Sequence, residues 1–200
     1  MRQTFPLAYQ TPALWATTVL AEPMALLSDH AYLERKAASN ALDLLNRWAE
    51  PTCPDTWVQT LAHVAQDETA HLYSVSRLIA KRGGVLPRSH KNQYANDLRG
   101  LVRVGKGKLD ILDRLLVSAL IEVRSCERFL ILAETAEEAE LAHLYKSLFA
   151  SEAGHYKTFL NLAETVTDAD VVAARWSELL EREAEIIQAQ PKGARLHSGF

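Results

Sequence analysis

The stretch Trp57-Val-Gln-Thr-Leu61-Ala-His-Val64-Ala-Gln-Asp-Glu68-Thr-Ala-His71-Leu-Tyr-Ser-Val75-Ser-Arg-Leu78 decides the fold. Trp57, Leu61, Val64, Glu68, His71, Val75 and Leu78 follow one another at alternating steps of four and three, the spacing that lines one stripe of a helix and packs it into a bundle. Glu68 and His71 therefore stand where core leucines belong. Three other segments repeat the pattern. Leu141, Tyr145, Leu148, Glu152, His155, Phe159 and Leu162 carry a second Glu-x-x-His pair. Leu112, Leu115, Ala119, Glu122, Cys126, Phe129 and Ala133 carry a lone glutamate, as do Met24, Leu27, Ala31, Glu34, Ala38, Ala41, Leu45 and Trp48.

A carboxylate in a bundle core costs on the order of several kcal/mol unless it is paired, hydrogen-bonded or bound to a metal. Glu34, Glu68, Glu122 and Glu152 in four seams therefore need a common partner. Residues three apart on a helix share a face, so the carboxylate and the imidazole of each Glu-x-x-His pair can reach one metal. One glutamate plus one Glu-x-x-His from each half of the chain is the ligand set of a two-metal carboxylate centre in a ferritin-like four-helix bundle. A single such pair is common on exposed helices; the shared seam register of Glu34, Glu68, His71, Glu122, Glu152 and His155 carries the reading. Mixed oxygen and nitrogen donors suit iron or manganese better than calcium or magnesium, and the lack of cysteine among them argues against an iron–sulfur cluster. Six ligands on two metals leave positions open for dioxygen or peroxide.

The remaining composition fits a 200-residue all-α domain with 48% hydrophobic content and no apolar run near membrane-span length. Residues 1–200 read as a single domain, with a bundle core over about 23–165, a basic crossover over 83–107 and a C-terminal helix over about 168–190. The N-terminal stretch Met1-Arg-Gln-Thr-Phe-Pro6 shows neither an apolar core nor a small-residue cleavage site, so no secretory signal is expected. Cys53 and Cys126 are too few for a disulfide framework, in keeping with a reducing cytoplasm. Cys53 reads as a loop thiol and Cys126, one turn beyond Glu122, as a core residue lining the site. Net charge is −3, but Lys81 to Lys108 holds eight basic residues against Asp97 alone, so this stretch carries +7 and the rest −10.

Along the chain, Thr11-Pro12 predicts an N-cap and a short helix to about Leu20. Long helices are expected from about Pro23 to Ala49, from Pro54-Asp55 to the Gly83-Gly84 pair, and from Lys108 to Ala133. A short helix is expected around Tyr94 to Val104. Thr135-Ala-Glu-Glu138 reads as a capping box opening one continuous helix to about Thr165. A charged amphipathic helix follows Thr167 or Asp168, and the tail from Pro191 is expected to fray.

Metal-bound histidines usually donate their second N–H to a carboxylate or carbonyl. Asp67 is the candidate for that role, or else faces solvent. Asp-Glu-x-x-His resembles the motif of bacterial multicomponent di-iron monooxygenases, although Ser151 takes the place of the aspartate in the second half. Ala31, Ala38, Ala41 and Ala119 either leave space beside the metals or allow close helix packing. Arg124 and Glu127 either support the site or form a surface ion pair. His30, His63, His90, His143 and His197 lack paired spacing with the ligand set and read as surface or boundary residues.

The segments Asp29-His-Ala-Tyr-Leu-Glu34-Arg-Lys-Ala-Ala38, Gln66-Asp-Glu-Thr-Ala-His71, Ala119-Leu-Ile-Glu122-Val-Arg-Ser-Cys-Glu-Arg-Phe129 and Ala150-Ser-Glu-Ala-Gly-His155-Tyr resemble the bacterial tRNA 2-methylthio-N6-isopentenyladenosine hydroxylases over about Leu14 to Thr165. The resemblance implies a non-haem di-iron monooxygenase with two iron ions held by Glu34, Glu68, His71, Glu122, Glu152 and His155. It implies hydroxylation, with dioxygen as co-substrate, of the isopentenyl group of a hypermodified adenosine beside the anticodon. It also implies an external electron donor such as a ferredoxin and its reductase, and a cytoplasmic setting with no membrane. Under that reading, Lys81, Arg82, Arg88, Lys91, Arg99 and Arg103 are expected to hold the anticodon stem-loop. The same basic run also suits a solvated loop or a docking patch for an acidic electron donor. Other ferritin-like di-iron proteins share the ligand order: an iron-storage or peroxide-handling protein, and a quinone-biosynthesis hydroxylase. A helical RNA-binding module with a vestigial site is the non-catalytic alternative.

Overall fold

The structure, a computed structural model, describes residues 4–200; the first three residues of the N-terminal stretch read above lie outside the described residues. These are helical or irregular throughout, with eight α-helices in chain order. They are α1 Leu14–Leu20, α2 Pro23–Leu45, α3 Asp55–Lys81, α4 Gln93–Arg99, α5 Lys108–Thr135, α6 Ala139–Glu152, α7 His155–Val166 and α8 Ala169–Ala189. The chain divides into two compact units. One comprises Val19–Lys91 with Ala194–Leu196; the other comprises Met1–Thr18, Asn92–Gly193 and His197–Phe200.

The first unit is a helical hairpin of α2 against α3. Proline opens α2, where its fixed φ and missing N–H cost nothing. The seam expected for α3 is buried at all seven positions, from Trp57 to Leu78. In α2 the buried stripe runs Leu27, Ala31, Glu34, Ala38 and Ala41 and then shifts to Leu44, so α2 ends before Ala49 and Leu45 lies at the boundary. Gly83, with φ +73°, ends α3 in the left-handed conformation that glycine adopts without steric cost.

In the second unit α5 packs on α6, α7 and α8, and α4 packs on α5 and α8. Helix α5 is buried on nearly every side rather than along one stripe. Its seam positions Leu112, Leu115, Ala119, Glu122, Cys126 and Phe129 are buried, and so are Asp113, Arg124, Glu127 and Arg128. Of the two readings of Arg124 and Glu127, the surface ion pair gives way to a core network. Arg124 donates from Nε and Nη2 to Glu183 on α8, at 2.8 and 2.7 Å, and from Nη1 to Glu127 at 2.5 Å. The Tyr94 hydroxyl donates to the same Glu183 at 2.9 Å. Burial alone would lower the Arg124 guanidinium, but Glu183 and Glu127 outweigh it and hold the group firmly charged.

Three local expectations give way to this core. Thr11 caps no helix: its N–H and hydroxyl both bond the Glu127 carboxylate, at 2.7 and 2.6 Å. Thr135 closes α5 instead of opening the next helix, and the residue before α6 is Glu138, without a side-chain cap. The tail does not fray, because the unit supplies partners for it. Trp15 Nε1 donates to Ser198 at 3.0 Å, and His197 lies against the Tyr94 ring at 4.5 Å between centroids. Gly199 N–H bonds Pro191 C=O at 3.1 Å; a Cβ at Gly199 would stand 1.9 Å from the Gln190 carbonyl oxygen, so this turn requires glycine.

Removing one partner of a buried ion pair strands the other, at a cost of about 3–5 kcal/mol. Glu183→Ala, which leaves the Arg124 guanidinium without its bidentate partner, is expected to lower Tm by roughly 10 °C in a calorimetric scan; a shift under about 2 °C would contradict the network's role.

Candidate metal centre

Each unit buries one glutamate from one helix and a Glu-x-x-His pair from elsewhere in the same unit. In the hairpin, α2 presents Glu34, and α3 presents Glu68 and His71 one turn apart. These residues are 4%, 1% and 8% exposed, and one donor atom from each lies within 4.8 Å of the others. His71 Nδ1 stands 3.7 Å from Glu34 and 4.0 Å from Glu68. In the second unit, α5 presents Glu122, α6 ends on Glu152 and α7 begins at His155. Their donor atoms also lie within 4.8 Å of one another, with His155 Nδ1 2.5 Å from Glu152 Oε2.

The second pair departs from the continuous helix expected of it. The α6 ladder ends where Ala153 N–H bonds Phe149 C=O, and α7 starts from the Gly154 carbonyl, which accepts from Lys157 and Thr158 N–H. Glycine disfavours the helix interior by about 1 kcal/mol relative to alanine, and Gly154 sits at this joint. Ala153 and Gly154 nonetheless keep right-handed helical dihedrals. The three-residue spacing therefore still brings the carboxylate and the imidazole together.

Sequence reasoning passed over His30. It is fully buried on α2, one turn before Glu34, and its Nε2 is in short hydrogen-bonding contact with Glu34 Oε1. Burial by itself raises the Glu34 carboxyl; the charge and hydrogen bonding of His30, joined by His71, overcome that and leave it well below the usual carboxylate range. The four-residue spacing from His30 to Glu34 was the available signal. Asp67 is half-buried, and its carboxylate lies 3.1 Å from Nδ1 of the exposed His63. His63 and His143 are exposed as expected; His90 and His197 are not.

Cys126 lies fully buried one turn after Glu122. Burial first, then the negative charge of Glu152 and Glu122, push its thiol up to about 12, so it stays protonated and unreactive near neutral pH. Ala31, Ala38, Ala41 and Ala119 are all buried. Of the basic residues, Lys81, Arg88, Lys91 and Arg99 are exposed and Arg82 is half-buried. Arg103 differs from the expectation: its Nε and Nη2 bond the fully buried Asp113 at 2.8 and 2.7 Å, and Arg175 bonds the same carboxylate at 2.9 Å. That carboxylate needs its cations, which commits Arg103 to the fold rather than to phosphate.

The donor set fits a hard or borderline redox metal: carboxylate oxygens and imidazole nitrogens, buried, with no thiolate among them. No helix among the described residues is long and apolar enough to cross a membrane.

A family profile described as tRNA-(MS2IO6A)-hydroxylase (MiaE) matches residues 2–198. A tRNA 2-(methylsulfanyl)-N(6)-isopentenyladenosine(37) hydroxylase of Pseudomonas putida is 40% identical over 192 residues, covering 95% of this chain and 90% of the relative. A hydroxylase of the same name from Salmonella typhimurium is 31% identical over 159 residues, covering 78% of this chain and 58% of the relative. Among solved structures, a Synechococcus protein described as protein 43 with aldehyde deformylating oxygenase activity matches with a TM-score of 0.88 and 34% identity over 96% of each chain. The all-α, ferritin-like fold expected from the seams is the fold of this chain.

Groups that orient metal ligands typically change metal affinity about 10–100-fold when removed. His30→Ala is therefore expected to weaken ferrous-iron binding by roughly that factor in an anaerobic titration; affinity equal to the unsubstituted protein would show that His30 only fills space.

Proposed function

Because the chain belongs to the tRNA-(MS2IO6A)-hydroxylase family, we propose that it is a tRNA-modifying monooxygenase. It hydroxylates the isopentenyl side chain of 2-methylthio-N6-isopentenyladenosine beside the anticodon. One observation carries the reading beyond family membership: each unit independently buries a Glu and a Glu-x-x-His in ligating proximity. Glu34, Glu68 and His71 from one unit, and Glu122, Glu152 and His155 from the other, would together hold two iron ions. Iron so bound supplies the activation of dioxygen.

The chain's own residues supply the surroundings. Val75 and Leu78 in α3, and Phe129 in α5, continue the buried seam of each helix beyond its own ligands, so the donors of each unit sit in apolar surroundings. Burial and the negative field of Glu122 and Glu152 keep the Cys126 thiol protonated, so beside those ligands it is a small neutral wall rather than a nucleophile. His30 fixes one oxygen of Glu34 and leaves the other carboxylate oxygen to face the donor cluster. Lys81, Arg82, Arg88, Lys91 and Arg99 supply phosphate contacts to the anticodon stem-loop. Electrons come from an external donor such as a ferredoxin and its reductase, and the setting is the cytoplasm.

A second reading has its own support in the 34% identity to a protein with aldehyde deformylating oxygenase activity: the same centre acting on another apolar substrate. The substrate separates the two. Iron-loaded protein, an electron source and oxygen-18 gas are incubated with tRNA carrying the methylthio-isopentenyl modification, and the nucleosides are read by mass spectrometry. One labelled oxygen on the prenyl chain is the expected result, whereas oxygen consumption without label in the nucleoside would favour the second reading. Reversing two exposed cations with Arg88→Glu and Lys91→Glu should weaken tRNA binding and flatten its salt dependence, by a slope change of about 0.7–0.9 per lost phosphate contact; unchanged binding would remove these residues from the footprint.

A further inference from the structure

A cleft of about 620 Å³ opens in the hairpin unit at the start of α2 and the end of α3, and no part of the metal centre lines it. Its walls come from three parts of the chain: Met24 and Asp29 of α2, the segment from Arg82 to His90, and Ala194 with Arg195 from the C-terminal tail.

One buried carboxylate holds two of these walls. Asp29 is 7% exposed; Oδ1 accepts from His90 Nε2 at 2.7 Å and Oδ2 accepts from the Leu196 N–H at 2.8 Å. His90 Nδ1 accepts from Lys36 Nζ at 3.0 Å, which leaves its Nε2 proton for Asp29. Tyr32 stacks on the His90 ring at 5.0 Å between centroids, and its hydroxyl bonds the Pro87 carbonyl. At the cleft floor a Cβ on Gly84 would fall 2.2 Å from Met24 Cε, so glycine lets the segment lie against α2. The loop and tail walls of the cleft are thereby anchored on one helix.

Its chemistry is lopsided. Arg82 and Arg195 are its cations, and Asp29, its acid, is occupied inward by His90 and Leu196. The flanking run Lys81 to Lys91 contains no acidic residue. Beside the guanidinium groups lie Met24, Pro87 and Val85, the last 87% exposed. An apolar concavity lined by two guanidinium groups matches an unstacked nucleotide, whose base can stack on a guanidinium plane while its phosphate meets the charges. The volume falls within the usual small-ligand range of about 300–1,000 Å³, whereas an acidic protein surface would need no concavity of this kind. From Asp29 and Met24 to Glu34 is five and ten residues along α2, roughly 8–15 Å at the helical rise.

Resting on the tRNA-hydroxylase reading above, we infer that this cleft is an RNA subsite for a nucleotide flanking the target adenosine, with Arg195 and Arg82 binding its phosphate. The C-terminal tail is then part of the substrate-binding surface, and Asp29 is a positioning residue that sets it.

The test uses the full chain and an anticodon stem-loop oligonucleotide, with affinity read by fluorescence anisotropy across a salt series and by KM in the hydroxylation assay. Arg195 is exposed, so its substitution should leave Tm within about 2 °C of the parent protein, as is usual for surface sites. Arg195→Glu is expected to raise Kd and KM about tenfold or more and to reduce the salt slope by about 0.7, the increment for one single-strand phosphate contact. Arg195→Lys should retain most of the affinity and Arg82→Glu should behave like Arg195→Glu. Equal Kd, KM and slope for the parent protein and Arg195→Glu, with the parent still hydroxylating the RNA, would overturn the cleft assignment alone. A raised KM for the electron donor with unchanged RNA affinity would also overturn it, in favour of a protein-docking role. Failure of the parent protein to bind or hydroxylate the stem-loop would overturn the tRNA reading itself.

Discussion

Burying carboxylates in apolar helix seams is the constraint on which the rest of this structure depends. Glu34, Glu68, Glu122 and Glu152 are all less than 8% exposed, positions where leucine would stabilise the fold without penalty. Ions taken out of water cost several kcal/mol each even after relaxation, so the neighbourhood must answer them. In the hairpin unit it does so with two imidazoles, His71 on α3 and His30 on α2, which stand on either side of Glu34. In the second unit His155 meets Glu152 directly. A divalent metal is the partner that removes the penalty most fully, since it neutralises charge and takes up lone pairs together.

Helix α5 shows how much surrounding structure such a site recruits. Its seam face carries Glu122 and Cys126, while Arg124 and Arg128 on other faces are equally buried. Arg128 lies 4.4 Å over the Trp15 ring, and burial together with the nearby Arg124 lowers its guanidinium to about 9. Arg124 ties α5 to α8 through Glu183, and Glu127 ties it to the N-terminal strap through Thr11. The helix that presents Glu122 is thereby tied to its neighbours on several faces. Fixed supports of this kind are what a ligand needs to hold its geometry when the metal changes charge.

The seams were legible because hydrophobic period is a local property: seven buried positions of α3, and the burial of Glu34, Glu122, Glu152 and His155 in α2, α5, α6 and α7, could be read from spacing alone. What was not legible depended on partners distant in sequence. Nothing near Thr11 signals that Glu127, 116 residues away, takes its N–H and hydroxyl, so a local capping reading was reasonable and wrong. Arg124 and Glu127 suit a surface pair because charge is usually exposed, and the packing of α8 and of the N-terminal segment around Thr11 makes them core. The tail after Pro191 looks frayable by composition, yet Trp15, Tyr94 and Asp29 provide the contacts that order it. His30 is the exception, since its four-residue spacing to Glu34 is local.

The two Glu-x-x-His pairs differ in backbone setting even though they share one spacing. Glu68 and His71 lie in the interior of a 27-residue helix, where a change of direction would break several backbone hydrogen bonds at once. Glu152 and His155 lie at either side of a joint, at the end of a 14-residue helix and the start of a 12-residue one. Nothing stands within 4 Å of where a Gly154 Cβ would be, and glycine places few steric limits on its dihedrals, while Ala153 beside it packs against the core cluster of Val123 and Cys126. The Glu-x-x-His motif thus specifies which donors meet, and the backbone between them sets how rigidly they do so.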